Sequence, residues 1–185
     1  VVKESMKLIR TSIPKNIEIQ VNMDDEVGPI LGNATQINQL LINLCNNAVD
    51  AMPKTIGLLT VKLSNEIINE KNQQHHRNLD TGKYVKLEIS DNGSGMDSAV
   101  LKKIFDPYYT TKEFGKGSGI GLSVVHGIVE RHGGSIIAES QPGQGTTFTI
   151  YLPIQEGTID KENDIPLALP SGNERILFVD DEPSI

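Results

Sequence analysis

The 185-residue chain has no tryptophan, and its four phenylalanines and four tyrosines bring aromatic residues to only 4%. Such poverty argues against the stacking platforms that hold single-stranded nucleic acid. Lysine and arginine total 17 against 24 aspartates and glutamates, a formal net charge of -7. That balance lacks the basic face needed to neutralise phosphate backbones, which argues against a dedicated nucleic-acid binder. A lone cysteine, Cys45, excludes an intramolecular disulfide and a cysteine-based zinc finger. No apolar run approaches the roughly 18–20 residues of a membrane span, and no signal peptide is legible at the start. The expectation is a cytosolic segment, which could belong to a longer membrane protein. What is present, 37% hydrophobic and 22% charged residues, is the composition of a globular fold. The chain has 17 glycines, above the usual share, and the excess lies in one region.

Periodicity divides the chain into elements. Residues 1–10 read as the end of a helix stopped by Pro14. Ile17, Ile19 and Val21 alternate with polar residues as in a half-buried strand. The segment from Asn33 to Met52 is the strongest helix. Asn33 and Gln36 resemble a capping box, Pro53 closes the far end, and Ile37, Leu40, Leu41, Leu44, Cys45 and Ala48 share one stripe. Strands are expected at 59–63 and 85–89, with 65–82 an exposed hairpin loop. A glycine-rich, aperiodic stretch runs from 91 to 121. A helix then starts near Gly119 and ends at about His132 before Gly133 and Gly134. Strands at 136–139 and 146–152 flank a Gln-Pro-Gly-Gln-Gly turn. Residues 155–173 read as a linker, and Arg175–Val179 opens a new strand.

The long helix has an unusual polar face. In place of lysine and glutamate it carries Gln39, Asn43, Asn46, Asn47 and Asp50. At 3.6 residues per turn Asn43, Asn47 and Asp50 lie within about 60° of one another. Asparagine costs a helix a few tenths of a kcal/mol or more against alanine, a local cost with no structural return. The face is either an ill-composed solvated surface or a row of oxygen ligands. Amide oxygen plus carboxylate suits Mg²⁺, a hard cation that keeps waters and shares substrate phosphates.

Asp91 shares the apolar face of its strand with Val85, Leu87 and Ile89. A carboxylate there is costly unless it accepts hydrogen bonds. With Asn92-Gly93-Ser94-Gly95-Met96 following, it is either an ordinary Asx turn or a buried acceptor for an exocyclic amine such as that of adenine. Gly115-Lys116-Gly117-Ser118-Gly119-Ile120-Gly121-Leu122 leads into a helix, and backbone N–H groups at a helix N-terminus bind phosphate. It is not a Walker A loop, since glycine follows Lys116, nor a dinucleotide fingerprint, since Leu122 stands where the third glycine is required. A plain flexible loop is the alternative. Phe105 to Lys112, just before it, supplies apolar anchors of the kind found beside a ligand lid.

The order of these segments resembles that of sensor histidine kinases. Residues 43–51 resemble their asparagine box, 91–96 the first glycine box, 105–112 the phenylalanine box, 115–122 the second glycine box and 143–148 the last glycine element. The Leu-Ser-Val-Val-His-Gly-Ile-Val helix at 122–129 is similar to that of nitrogen-regulation-type kinases. The resemblance implies an α+β Bergerat fold, a two-layer sandwich of a mixed sheet on helices with an ATP lid. Gyrase B and Hsp90-type chaperones share it.

The resemblance also implies roles. Asn47 would ligate Mg²⁺, with Asn43 at the triphosphate and Asp50 beside them. Asp91 would accept from the adenine amino group, Gly93 and Gly95 would allow close approach of the base, and Thr146 would lie near it. Lys112 and Lys116 would be lid cations near the phosphates. Gly117, Ser118, Gly119, Ile120, Gly121 and Leu122 would form the hinge and phosphate cradle, with Ile104 packing nearby. Asn43, Asn47 and Lys112 are the catalytic candidates.

The implied domains are the end of a dimerisation helix at 1–14, the ATP-binding domain at 15–154, the linker, and the start of a receiver at 174–185. In that last segment Asp180 and Asp181 match an acidic metal-binding pair. Implied partners are an upstream dimerisation and phosphotransfer domain and a receiver or response regulator. The whole kinase would be a homodimer and this segment alone a monomer. None of the four histidines has a phosphoacceptor context: His75 and His76 sit in the polar loop, and His126 and His132 read as packing or capping residues. A conformational ATPase of the same superfamily is the competing reading, with a non-catalytic nucleotide-binding module as a third. Such ATPases place a glutamate one turn before the metal asparagine, where this chain has Asn43, an amide that takes no proton at neutral pH.

Overall fold

The structure, a computed structural model, describes residues 1–52, 56–71, 73, 79–112 and 117–155. Pro53, the histidine pair at 75 and 76, Lys116, most of the linker and the receiver-like segment lie outside the described residues.

Among the described residues, four helices and five strands follow in the order α1 (Val2–Ser12), β1 (Ile17–Met23), α2 (Ala34–Ala51), β2 (Gly57–Ile68), β3 (Gly82–Asp91), α3 (Ser98–Leu101), α4 (Gly121–Arg131), β4 (Ser135–Gln141) and β5 (Gly145–Pro153). The strands form one sheet in the order β1-β2-β3-β5-β4. Only β1 and β2 are parallel, because α2 makes the crossover between them; the other pairs are antiparallel. Helices line one face of the sheet, so the expected α+β two-layer arrangement with a mixed sheet is the one observed. Among the described residues no helix is long and apolar enough to cross a membrane.

The alternating strand residues meet the helical stripe. Leu59, Val61, Leu87, Ile89, Phe148 and Ile150 from the sheet pack with Leu40, Leu41, Leu44 and Cys45 of α2 and Val125 and Val129 of α4 in one continuous core. Burial of the Cys45 thiol pushes its pKa up to about 12, so it behaves as a small hydrophobe. The Asn33 side chain caps α2, accepting from the N–H groups of Thr35 at 2.8 Å and Gln36 at 3.2 Å. The Asn33 N–H itself donates to His132 Nε2 at 3.3 Å, while His132 Nδ1 bonds the Ile128 carbonyl at 2.7 Å. The start of α2 is thereby tied to the end of α4. His126 stacks on Phe105 with centroids 5.2 Å apart and faces Glu130 at 3.5 Å. Both histidines serve packing and capping.

Two sequence expectations need correction. The hairpin loop expected at 65–82 is shorter, since β2 continues to Ile68 and β3 starts at Gly82. The polar run Ser64–Glu66 hid the strand because there its side chains bond other segments: Asn65 accepts from Gly28 N–H at 2.9 Å and donates to the Glu26 carbonyl at 2.7 Å. Ile68, Leu79, Tyr84 and Tyr151 form a second small core on the sheet face away from the helices. The short helix α3 was also missed, four residues being too few for a periodic signal; Asp97 caps it, accepting from Ala99 and Val100 N–H groups.

Leu44 has no exposed surface. Leu44→Ala is expected to cost about 2–5 kcal/mol, read as a lower urea midpoint with an unchanged slope.

Candidate functional site

A cavity of about 400 Å³ opens between the C-terminal half of α2, the end of β3, the start of α4 and the first residues of β5. Helical periodicity brings Asn43, Asn47 and Asp50 to its wall as the sequence requires, and Asn46 joins them. Opposite lie Asp91, Gly95 and Thr146, and a third side is made by Lys112, Gly117, Ser118, Gly119, Gly121 and Leu122. Ile104 lines it as well.

Two expected residues do not reach the cavity wall. Gly93 is buried behind it: its N–H donates to Asp91 Oδ1 at 2.8 Å, and a side chain there would run into the Ala51 carbonyl. Its contribution is to hold Asp91. Ile120 precedes α4 with its side chain largely turned to solvent, because the helical phase that brings Gly121 and Leu122 to the wall carries their neighbour away. Sequence reasoning in turn passed over Ala48, Ala51, Met96, Val100 and Phe148, which supply the apolar lining. Met96 and Phe148 stood in the glycine motifs, where attention to glycine concealed them.

The base of the cavity is polar and tightly bonded. Asp91 pairs with Thr146 across β3 and β5. Burial pushes the Asp91 carboxyl pKa above the ordinary aspartate value, against the pull of N–H bonds from Gly93 and Thr146. Gly95 and Gly145 both have positive φ, 64° and 84°, and any side chain on them would collide with the carbonyls of Gln141 and Asp91 respectively.

The other end of the cavity is suited to negative charge. No side chain caps the N-terminus of the eleven-residue helix α4, whose cap position is Ile120, so the backbone donors of its first turn remain available to an anion. Gly121 faces Asn43, whose Oδ1 lies 3.4 Å from where a Cβ would stand. Lys112 Nζ is 2.5 Å from Asp50 Oδ2, joining the segment that ends at residue 112 to α2. Both groups are more than a third exposed, so the pair itself contributes less than about 1 kcal/mol. Tyr108, at φ 66°, donates its N–H to the Gly119 carbonyl at 2.9 Å, closing the base of the 109–118 segment.

The donors fit a cation that arrives with its ligand. Among the described residues no three His, Cys, Asp or Glu side chains cluster as a metal cage. Amide oxygens of Asn43 and Asn47 and the Asp50 carboxylate do line one wall. That set suits Mg²⁺ holding waters and phosphate oxygens, with few protein ligands.

Asp91→Asn is expected to raise the melting temperature at neutral pH. The folded-state pKa is raised, so ionised Asp91 opposes folding above that pKa and is neutral below its unfolded value. The advantage of the amide should shrink as the pH falls through the raised pKa. Thermal melts of both proteins from neutral pH to about pH 4 check this, with the unfolded aspartate titrating near 3.9.

Residues 32–156 match the family described as histidine kinase-, DNA gyrase B-, and HSP90-like ATPase. The sensor kinase CckA of Brucella abortus (strain 2308) is 38% identical over 187 residues, covering 96% of this chain and 20% of that protein. The sensor histidine kinase ZraS of Escherichia coli (strain K12) is 34% identical over 154 residues, covering 83% of this chain and 29% of that one. The chain thus spans less than a third of the length of either relative. The catalytic domain of histidine kinase ThkA, in a nucleotide-free form, has a TM-score of 0.64 at 28% identity, covering 83% of this chain and 91% of that chain. The sheet, the cavity between α2 and α4 and the match from residue 32 to residue 156 have one account: the chain belongs to the histidine kinase-, DNA gyrase B- and HSP90-like ATPase family.

Proposed function

We propose that the chain is the ATP-binding catalytic domain of a hybrid sensor histidine kinase, of the nitrogen-regulation type. It binds Mg-ATP and passes the γ-phosphoryl to a histidine on a dimerisation domain that precedes it. The observation that carries this reading is the two-ended cavity. An acceptor pair, Asp91 and Thr146, stands at one end; the amide row of α2 and the uncapped N-terminus of α4 stand at the other. Adenine donates from its amino group to Asp91, its ring lies on Met96 and Ala51, and the phosphates meet the first turn of α4. Asn47 would hold a Mg²⁺ ion arriving with the phosphates, which would supply charge neutralisation, and Asn43 would bond the triphosphate.

Phosphoryl transfer depends mostly on positioning and charge neutralisation. Asn47, Lys112 and Lys116 supply these, and the attacking imidazole comes from outside. The Lys112–Asp50 pair keeps the lysine at the phosphate end when no phosphate is there. Asn43 lines the cavity where the related ATPases carry their glutamate base, and an amide does not accept a proton at neutral pH. That favours a kinase over a conformational ATPase. The domain boundaries follow: 1–14 the end of the dimerisation helix, 15–154 the catalytic domain, 155–173 the linker, 174–185 the start of a receiver. The match to CckA over 96% of the chain supports a shared arrangement beyond residue 156. The domain works on the cytoplasmic side, in a homodimeric kinase.

Incubation with γ-labelled ATP tests the reading. The protein is expected to bind ATP, to release phosphate very slowly and to label none of its own histidines. Adding the upstream dimerisation domain should produce acid-labile phosphohistidine on that domain. Fast phosphate release abolished by Asn47→Ala would instead favour the ATPase. In calorimetric titrations Asn47→Ala is expected to weaken ATP binding with Mg²⁺ about tenfold, from loss of one charged-group bond, and to change metal-free binding little.

A further inference from the structure

Ser140 does not touch the cavity, yet it governs how one cavity residue presents its hydroxyl. It stands at the end of β4, paired across the sheet with Thr146. Its Oγ has three neighbours: the Met96 N–H at 2.8 Å, the Gly145 carbonyl at 2.9 Å and Thr146 Oγ1 at 2.9 Å. A serine hydroxyl has one hydrogen and two lone pairs. The Met96 amide can only donate and takes one lone pair. The Gly145 carbonyl can only accept and takes the hydrogen. The contact with Thr146 is left with the second lone pair, so Thr146 must supply the hydrogen there.

The consequence reaches the cavity. With its hydrogen turned toward Ser140, Thr146 Oγ1 shows the cavity lone pairs alone. Beside it stands the Asp91 carboxylate, an acceptor when ionised. At this point of the wall Asp91 and Thr146 therefore both display acceptors. Facing these two acceptors, the 6-position of adenine brings two N–H donors, whereas the 6-position of a 6-oxopurine brings lone pairs that oppose them, its N1–H donor lying one ring atom away.

We infer that Ser140 is a positioning residue for base selectivity: it locks the Thr146 hydroxyl as an acceptor and so helps the cavity refuse 6-oxopurine nucleotides. The inference rests on the reading of this cavity as an ATP site. It deepens that reading by adding a residue outside the cavity wall to the recognition of the base. Loss of the Ser140 hydroxyl would release the Thr146 hydrogen to turn inward and donate to a 6-oxo group.

Displacement of a fluorescent ATP analogue by ATP and by inosine triphosphate, at fixed Mg²⁺, gives the two affinities and their ratio. Ser140→Ala is expected to lower the preference for ATP over inosine triphosphate about five- to tenfold, one neutral hydrogen bond's worth. The fall should come mainly from tighter inosine triphosphate binding. Ser140→Thr, which keeps the hydroxyl, should retain the wild-type ratio. In a Thr146→Val background Ser140→Ala should change the ratio no further, because the partner it acts through is gone. Equal weakening of both nucleotides by Ser140→Ala would reduce Ser140 to a structural bond and overturn the inference. Should Ser140→Ala fail to fold, Thr146→Val decides alone, and an unchanged ratio there overturns it as well. A wild-type protein that binds both nucleotides equally fails differently: it removes the adenine reading itself.

Discussion

Three stretches of backbone meet at the end of β3 with no side chains between them, and the position of everything in the cavity follows from that contact. The Ser94 N–H donates to the Ala51 carbonyl at the end of α2, at 2.9 Å. The Gly143 N–H donates to the Ser94 carbonyl at 2.7 Å. Gly93, Gly95 and Gly145 lie so close to the carbonyls of Ala51, Gln141 and Asp91 that a methyl group on any of them would force the elements apart. The end of α2, the turn after β3 and the β4–β5 turn are thereby fixed to one another by backbone hydrogen bonds. Asp91, Thr146 and the amide row of α2 ride on those three pieces. A glycine at such a point contributes an absence of volume, which lets polar groups from distant parts of the sequence converge.

Burial and chemistry oppose each other at Asp91. The apolar strand face that makes β3 a core strand also holds this carboxyl partly away from water, which raises its pKa. Two backbone N–H groups offset part of that cost without removing it. What remains is an acceptor with unsatisfied demand, aimed into a cavity. A protein selected for stability alone would place an amide or an apolar residue there. Retention of the carboxylate fits a site where ligand binding supplies the missing partner.

The other end of the cavity, the one proposed for phosphates, follows a different rule. There the groups are backbone donors at the start of α4, amides on α2 and one exposed ion pair between α2 and the segment that ends at residue 112. The backbone N–H groups and amides take no proton at neutral pH, and the one carboxylate among these groups, Asp50, is already engaged by Lys112. Among the described residues this end offers backbone donors, amides and a lysine held by Asp50, a set suited to holding a triphosphate more than to activating water. The division between the two ends, rigid acceptors at one and backbone donors, amides and a lysine–aspartate pair at the other, fits the proposal of a domain that holds its substrate for a reaction completed elsewhere.

Much of this was legible in the residues. Period 2 in β3 and period 3.6 in α2 and α4 specify which faces are buried, because burial of apolar surface dominates folding; in β1 the alternation holds only in part, since Val21 is exposed, and β5 is buried on both faces. The asparagines on the face of α2 away from the core stripe, and an aspartate on an apolar strand face, departed from those periods and so marked the cavity in advance. The sequence could not reveal what depends on close approach between segments far apart in the chain. The extension of β2 through a polar stretch depends on Asn65 meeting the 26–28 segment. The apolar lining from Met96 and Phe148 depends on β5 lying beside β3. The retreat of Gly93 and Ile120 from the cavity depends on the phase of the turn and of the helix. The hydroxyl of Ser140 looks like any strand-end serine until the sheet sets it between Met96, Gly145 and Thr146. Local patterning determined which residues are inside and which are conspicuous; only the packing of backbone on backbone decided which of them share a hydrogen.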